Sequence, residues 1–155
     1  MSRLASLLTL VSLVCFAKPW QGINPGGGMS DLDVIGKFGE PTKRVNARGQ
    51  LVLVFSGVQA IKGTVQAQFK CDLTTKEVQR IDVYPEPVID VSAIERSYGR
   101  SCEATQGEEP CYWRKETAQK HPYFLYSKLG LAIFFKDDDK TVLSFAFLPV
   151  QQPQP

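Results

Sequence analysis

Histidine is nearly missing from this chain: His121 is the only one among 155 residues. Acid–base, nucleophilic and zinc chemistry all lean on that side chain, so most enzyme classes lose their usual base at the outset. His121 stands before Pro122, where a strand-like run begins, with no nucleophile motif beside it, and it reads as an ordinary loop residue. Phosphate loops are missing too. Gly26-Gly27-Gly28 leads into a helix, but no strand leads into it, and a linker fits it better. Runs of basic residues are lacking: 18 basic and 16 acidic side chains are scattered, for a net charge of +2. That balance removes the electrostatic case for nucleic acid or an anionic membrane surface. Metal-ligand spacing is also missing. Cys71, Cys102 and Cys111 contain no close pair of the zinc kind, and Asp137-Asp138-Asp139 lacks the spaced ligands of a calcium loop. The three aspartates read as a solvated hairpin turn. No catalytic centre, metal or cofactor is therefore expected.

What the chain does have begins with an export signal. Arg3 supplies a positive end, Leu4 to Phe16 an apolar run, and Cys15-Phe16-Ala17 a small-x-small exit, so residues 1–17 read as a signal peptide cut after Ala17. Leu4 to Ala17 is 14 residues, short of the roughly 20 that a membrane-spanning helix needs. The second option is lipidation at Cys15, although Val14 is bulky where a small residue is expected before a lipidated cysteine. Either route places the protein outside the cytoplasm, periplasmic or secreted, with an outer-membrane lipoprotein as the second option. In an oxidising compartment a disulfide is the default. Cys102 and Cys111 bracket the polar segment Glu103 to Pro110, so pairing them closes a short loop. Cys71 is left as a buried thiol or as an alternative partner.

Residues 18–28 are rich in Pro, Gly, Asn and Gln and read as an exposed lead-in. A helix follows with marked ends. Ser30 suits the N-cap, Asp31 and Asp33 suit the positive end of the helix dipole, and Gly39 with Pro41 stops it. Leu32, Ile35 and Phe38 recur at spacings of three, giving an apolar side that must lie on something. After the turn signal at Asn46-Ala47-Arg48-Gly49 come three strand-prone runs: Leu51 to Phe55, Thr64 to Lys70, and Glu77 to Tyr84.

The same order recurs downstream. Asp90 to Gly99 answers the helix, with Gly99 standing 60 residues after Gly39, and Cys111 to Lys115 answers Leu51 to Phe55. Gly130 to Asp138 answers Thr64 to Asp72. Lys76-x-Val78-x-x-Ile81-x-Val83 matches Lys140-x-Val142-x-x-Phe145-x-Phe147 at an offset of 64. Chance similarity between two hairpins is the competing reading, but four elements agree in order. The fold class expected is α+β: two tandem α-β-β-β repeats, each an antiparallel meander with its helix on one face. The first repeat spans 29–85, the second 90–149, and 150–155 reads as a disordered Gln/Pro tail.

Strand alternation then sorts the side chains. Expected core positions are Val65, Ala67, Phe69, Ile81 and Val83, and in the second half Leu131, Ile133, Phe135, Leu143, Phe145 and Phe147. On the opposite face the first half shows Gln66, Gln68, Lys70, Arg80, Asp82 and Tyr84, an ordinary solvated surface. The second half places Tyr112, Arg114, Ala132, Phe134, Lys136, Ala146 and Leu148 there, with Trp113 turned to the core. That flank is too apolar to face water without a reason. Tyr112 and Phe134 are the expected anchors for a protein partner and Arg114 and Lys136 its charge contacts, with Ala132 and Leu148 beside them.

The stretch Gly28-Met29-Ser30, Val34, Phe38, Gly39 and Pro41 resembles the helix signature of the SmpA/OmlA (BamE-like) envelope proteins, and the likeness runs on through Leu51 to Phe55 and Phe69 to Val83. A tandem pair of such units resembles the β-lactamase-inhibitor-protein arrangement. The first resemblance implies an exported accessory of envelope assembly, and the second a secreted or periplasmic inhibitor that binds a hydrolase with its open sheet face. Both imply a protein partner and no nucleic acid. Membrane contact is expected only if Cys15 is lipidated.

Overall fold

The computed structural model describes residues 20–150, so the expected signal peptide, Cys15 and the tail beyond Val150 lie outside the described residues. Helix α1 spans Asp31–Phe38 and is followed by β1 (Lys43–Ala47), β2 (Gln50–Ser56), β3 (Thr64–Asp72) and β4 (Val78–Pro85). Helix α2 spans Val91–Tyr98 and is followed by β5 (Trp113–Glu116), β6 (Pro122–Tyr126), β7 (Leu131–Phe135) and β8 (Val142–Phe147). All eight strands form one antiparallel sheet in the order β1-β2-β3-β4-β8-β7-β6-β5.

This overturns the expected α+β pair of α-β-β-β repeats. One eight-stranded sheet dominates, the two helices have only eight residues each, and four strands follow each helix. Two strands stand outside the expected three per half: β1, and β6, the run from Pro122 that the repeat left out. β1 and β5 are edge strands with every residue exposed, so neither carries an alternating burial pattern. Their basic residues Lys43, Arg44, Arg114 and Lys115 suit an edge that must not pair with other chains. Cys111 to Lys115 consequently does not answer Leu51 to Phe55. The place in the sheet matching β2 is taken by β6, and β5 lies at the outer edge.

Both helices start as their sequences ask. At α1 the Asp33 carboxylate accepts from the Ser30 backbone N–H at 2.8 Å and from the Ser30 hydroxyl at 3.3 Å. At α2 the Asp90 carboxylate accepts from the Ala93 N–H at 2.9 Å. Val34 and Ile94 are the residues each helix buries. They join one core cluster with Leu53, Phe55, Phe69, Ile81, Ile133 and Phe145 from a single face of the sheet.

The stretch 18–28, expected to be exposed, is tied into that core where it is described. Ile23 is fully buried, and the Trp20 ring lies 6.0 Å from those of both Phe38 and Phe69. Two expected core residues are outside: Val65 is 60% exposed and Leu143 is 42% exposed. Each sits at a register shift, Val65 between Thr64 and Gln66, and Leu143 opposite the step from Phe134 to Phe135. A bulge inserts one unpaired residue and moves every later side chain to the other face.

Candidate interaction face

Residues directly opposite one another across an antiparallel pair share a face of the sheet, so the register assigns every side chain. One row crosses all eight strands: Lys43, Val54, Gln68, Asp82, Ala146, Ala132, Leu125 and Trp113. This is the face turned away from the core cluster. A neighbouring row carries Ser144, Phe134, Tyr123 and Lys115, and another carries Val45, Val52, Lys70 and Arg80. Across the sheet the face therefore runs from basic and aliphatic at β1 and β2 to aromatic at β5, β6 and β7.

At its centre is a charge cluster. Asp82, 4% exposed, accepts from Arg80 Nη2 at 2.9 Å and Nε at 3.0 Å, and lies 3.0 Å from Lys70 Nζ. A buried carboxylate needs such partners, because leaving water uncompensated would cost several kcal/mol. The Arg80 guanidinium also lies 6.0 Å from the centre of the Phe134 ring, within cation–π range, and Phe134 stacks on Tyr123 at 5.0 Å. Small Ala146 and Ala132 occupy the row between the cluster and Leu125.

The structure redistributes the expected binding residues. Phe134 and Ala132 are on this face, and Ala132 is buried among its neighbours at 3% exposure. Lys136 is exposed just beyond the end of β7, and Leu148 is half-buried just beyond β8. Tyr112 and Arg114 are not on it. Arg114 opposes Phe124, which opposes Ile133, in a row belonging to the core side. Tyr112 is buried, its ring stacked on Phe124 at 3.8 Å and its hydroxyl donating to Glu95 Oε1 on α2 at 3.1 Å. Burial first, and then Glu95, push the Tyr112 phenol up to about 12. Trp113, expected in the core, takes the open place instead at 45% exposure. A one-residue error of phase in β5 exchanges these roles. A strand of four exposed residues carries no sequence signal that sets this phase.

The Cys102–Cys111 disulfide is formed, and Cys71 is a free, buried thiol pushed up to about 11 mainly by burial. Cys102, Glu109 and Cys111 group together, but the two sulfurs are bonded to each other and have no thiolate to offer a metal. The Asp138 carboxylate accepts from the Lys140 and Thr141 N–H groups at 2.9 and 2.8 Å, closing its own turn. The Thr141 hydroxyl, which donates to the same carboxylate, and then those two N–H groups hold it well below the usual carboxylate range, at about 2. His121 stands 3.8 Å from Asp139 between two exposed turns. Among the described residues, no helix is long and apolar enough to cross a membrane.

No family model matches the chain, and no curated protein matches it. Among solved structures, a cysteine-rich secretory protein from Staphylococcus aureus subsp. aureus Mu50 is similar over 82% of this chain at 13% identity, with a TM-score of 0.41. This chain covers 48% of that one, about half its length.

Proposed function

We propose that this chain is an exported, non-catalytic protein-binding module of the cell envelope, which holds its partner against the open face of the sheet. The observation that carries the reading is the open face, where a row from Lys43 to Trp113 crosses all eight strands and sets the Arg80–Asp82–Lys70 cluster between exposed Val45 at one end and exposed Trp113 at the other. Such a mixture, with Arg and aromatic residues near its middle, suits recognition of a folded surface. The likeness of Gly28 to Pro41 to the SmpA/OmlA helix signature favours an accessory of envelope assembly. A second reading, an inhibitor or immunity protein against a secreted hydrolase, draws support from the continuity of the sheet through the β4–β8 pairing.

The test is affinity capture from the source organism with the wild type, Phe134→Asp and Trp113→Asp, each first checked to unfold cooperatively well above the capture temperature. Loss of one partner with both variants is the expected result. An unchanged partner list would remove this face from consideration. The mass of the mature N-terminus separates the two readings: an acylated Cys15 points to an envelope anchor, and a start at Lys18 to a soluble protein.

A further inference from the structure

Charge is unevenly placed on this molecule, although the whole is nearly neutral. Of the 18 basic side chains Arg3 and Lys18 precede residue 20, leaving 16 against 16 acidic ones. The open face departs from that balance. Lys43, Lys70, Arg80 and Lys115 lie on it by register, with Arg48 and Lys136 at its ends. Opposing them are Asp82, already held by Arg80 and Lys70, and Asp72, whose carboxylate is engaged by the Thr74 and Thr75 N–H groups at 2.8 and 2.7 Å.

The excess is greatest at the β1–β3 end, where the face forms a groove. Val45, Ala47, Val52 and Val54 give it an apolar floor, Gln50, Gln66 and Gln68 supply amides, and Lys43, Arg48 and Lys70 supply charge. None of the lining residues is a carboxylate. Lys43 and Arg48 are exposed and form no ion pair among the described residues. A groove with this lining rejects a cationic segment by repulsion and rejects a purely apolar one by leaving its cations without counter-charge.

Resting on the reading that a protein docks on the open face, we infer that the partner is acidic there. The occupant of the β1–β3 groove is a protein segment in which carboxylates alternate with aliphatic side chains, the former reaching Lys43 and Arg48 and the latter covering the valine floor. The Trp113 and Phe134 end supplies the apolar half of the same interface.

The experiment uses the mature protein and a fluorescein-labelled peptide, Leu-Glu-Val-Glu-Leu-Glu, followed by anisotropy and by amide chemical shifts. Saturable binding with shifts centred on Val45, Val52 and Lys70 is expected. The double variant Lys43→Glu, Arg48→Glu should weaken it about tenfold or more, since two exposed charges are reversed, while Lys62→Glu, Lys128→Glu stays within about twofold. Equal binding of Leu-Lys-Val-Lys-Leu-Lys, equal loss with the off-face variant, or shifts elsewhere would each overturn the inference. Stronger retention on phosphatidylglycerol vesicles than on phosphatidylcholine vesicles, abolished by the same double variant, would replace the acidic protein with an anionic lipid. Captured partner from the source organism separates this inference from the reading beneath it. Loss with Phe134→Asp but retention with Lys43→Glu, Arg48→Glu leaves the face standing and removes only the acidic occupant.

Discussion

Two adjacent substitutions read out the register of β5 and with it the composition of the open face. Tyr112 is 7% exposed, stacked on Phe124 at 3.8 Å and hydrogen-bonded to Glu95. Truncating a buried aromatic residue of this size costs about 3–5 kcal/mol, through lost transfer energy and the cavity left behind. Removing the hydroxyl also leaves Glu95 without its donor, which adds roughly 1 kcal/mol. Trp113 is larger, but it is 45% exposed and sits on an edge strand. Half of its surface is already in water, so its truncation should cost about 1–2 kcal/mol. Tyr112→Ala is therefore expected to lower stability at least twofold more than Trp113→Ala does. For a domain holding roughly 5–15 kcal/mol in total, the first change moves a urea midpoint far and the second only modestly. Equilibrium urea unfolding with a shared slope measures both. A larger loss for Trp113→Ala would mean that β5 is paired one residue out of phase, with Tyr112 and Arg114 on the open face and Trp113 in the core. Partner binding should show the opposite order, affected by Trp113→Ala and indifferent to Tyr112→Phe.

Four further outcomes follow from individual contacts. Gly39 and Gly99 both end helices at positive φ, 84° and 111°, but a Cβ on Gly99 would lie 2.1 Å from the Pro110 carbonyl oxygen while one on Gly39 meets nothing within 4 Å. Gly39→Ala should cost about 1–3 kcal/mol from backbone strain, and Gly99→Ala clearly more by urea unfolding; equal costs would contradict the contact. Tyr112 ionises near 12 in the folded protein against 10.0 ordinarily. Because the folded value is the higher one, its contribution is fully present below pH 10 and is lost as pH rises toward 12. Phenolate absorbance at 295 nm in wild type minus Tyr112→Phe should appear near pH 12, and a native transition near pH 10 would refute its burial. Finally, replacing both Cys102 and Cys111 with alanine reopens a loop with a sequence separation of nine and should cost about 2–3 kcal/mol. Cys71 should react with a thiol reagent only after denaturant is added, since it is buried and poorly ionised.

Alternation is legible in β3 and β7, whereas the fully exposed edge strand β1 is not, and β6, which does alternate, falls outside the repeat. β3 shows its core side plainly through Ala67 and Phe69, both fully buried. β1, Lys43–Ala47, has no buried residue and was read as a connection, which hid Val45 and the groove behind it. The matched pattern Val78-x-x-Ile81 and Val142-x-x-Phe145 encodes a bulge in each half. Two apolar residues spaced by three can share one face of a strand only if a residue between them bulges. That is the arrangement found: Cys71 opposes Val78 while Lys70 opposes Arg80, and Phe135 opposes Val142 while Phe134 opposes Ser144. Strict alternation wrongly sent Leu143 inward. Trp20 and Ile23 were missed because glycine and proline around them signalled a loop, and a loop can still pin itself by one aromatic ring. On the open face, Phe134 and Ala132 stand where alternation within β7 puts them, whereas Tyr112 directly precedes, and Arg114 lies in, a four-residue strand whose phase four residues cannot fix.

Proximity labelling from single positions reads out whether a partner lies against the open face. A benzophenone side chain placed at Trp113 or at Val45 on the open face, and separately at the 71%-exposed Leu32 of α1, would be photolysed with the partner bound. The account predicts the same cross-linked partner from Trp113 and Val45, and none from Leu32. Cross-linking from Leu32 with silence at both sheet positions would contradict it.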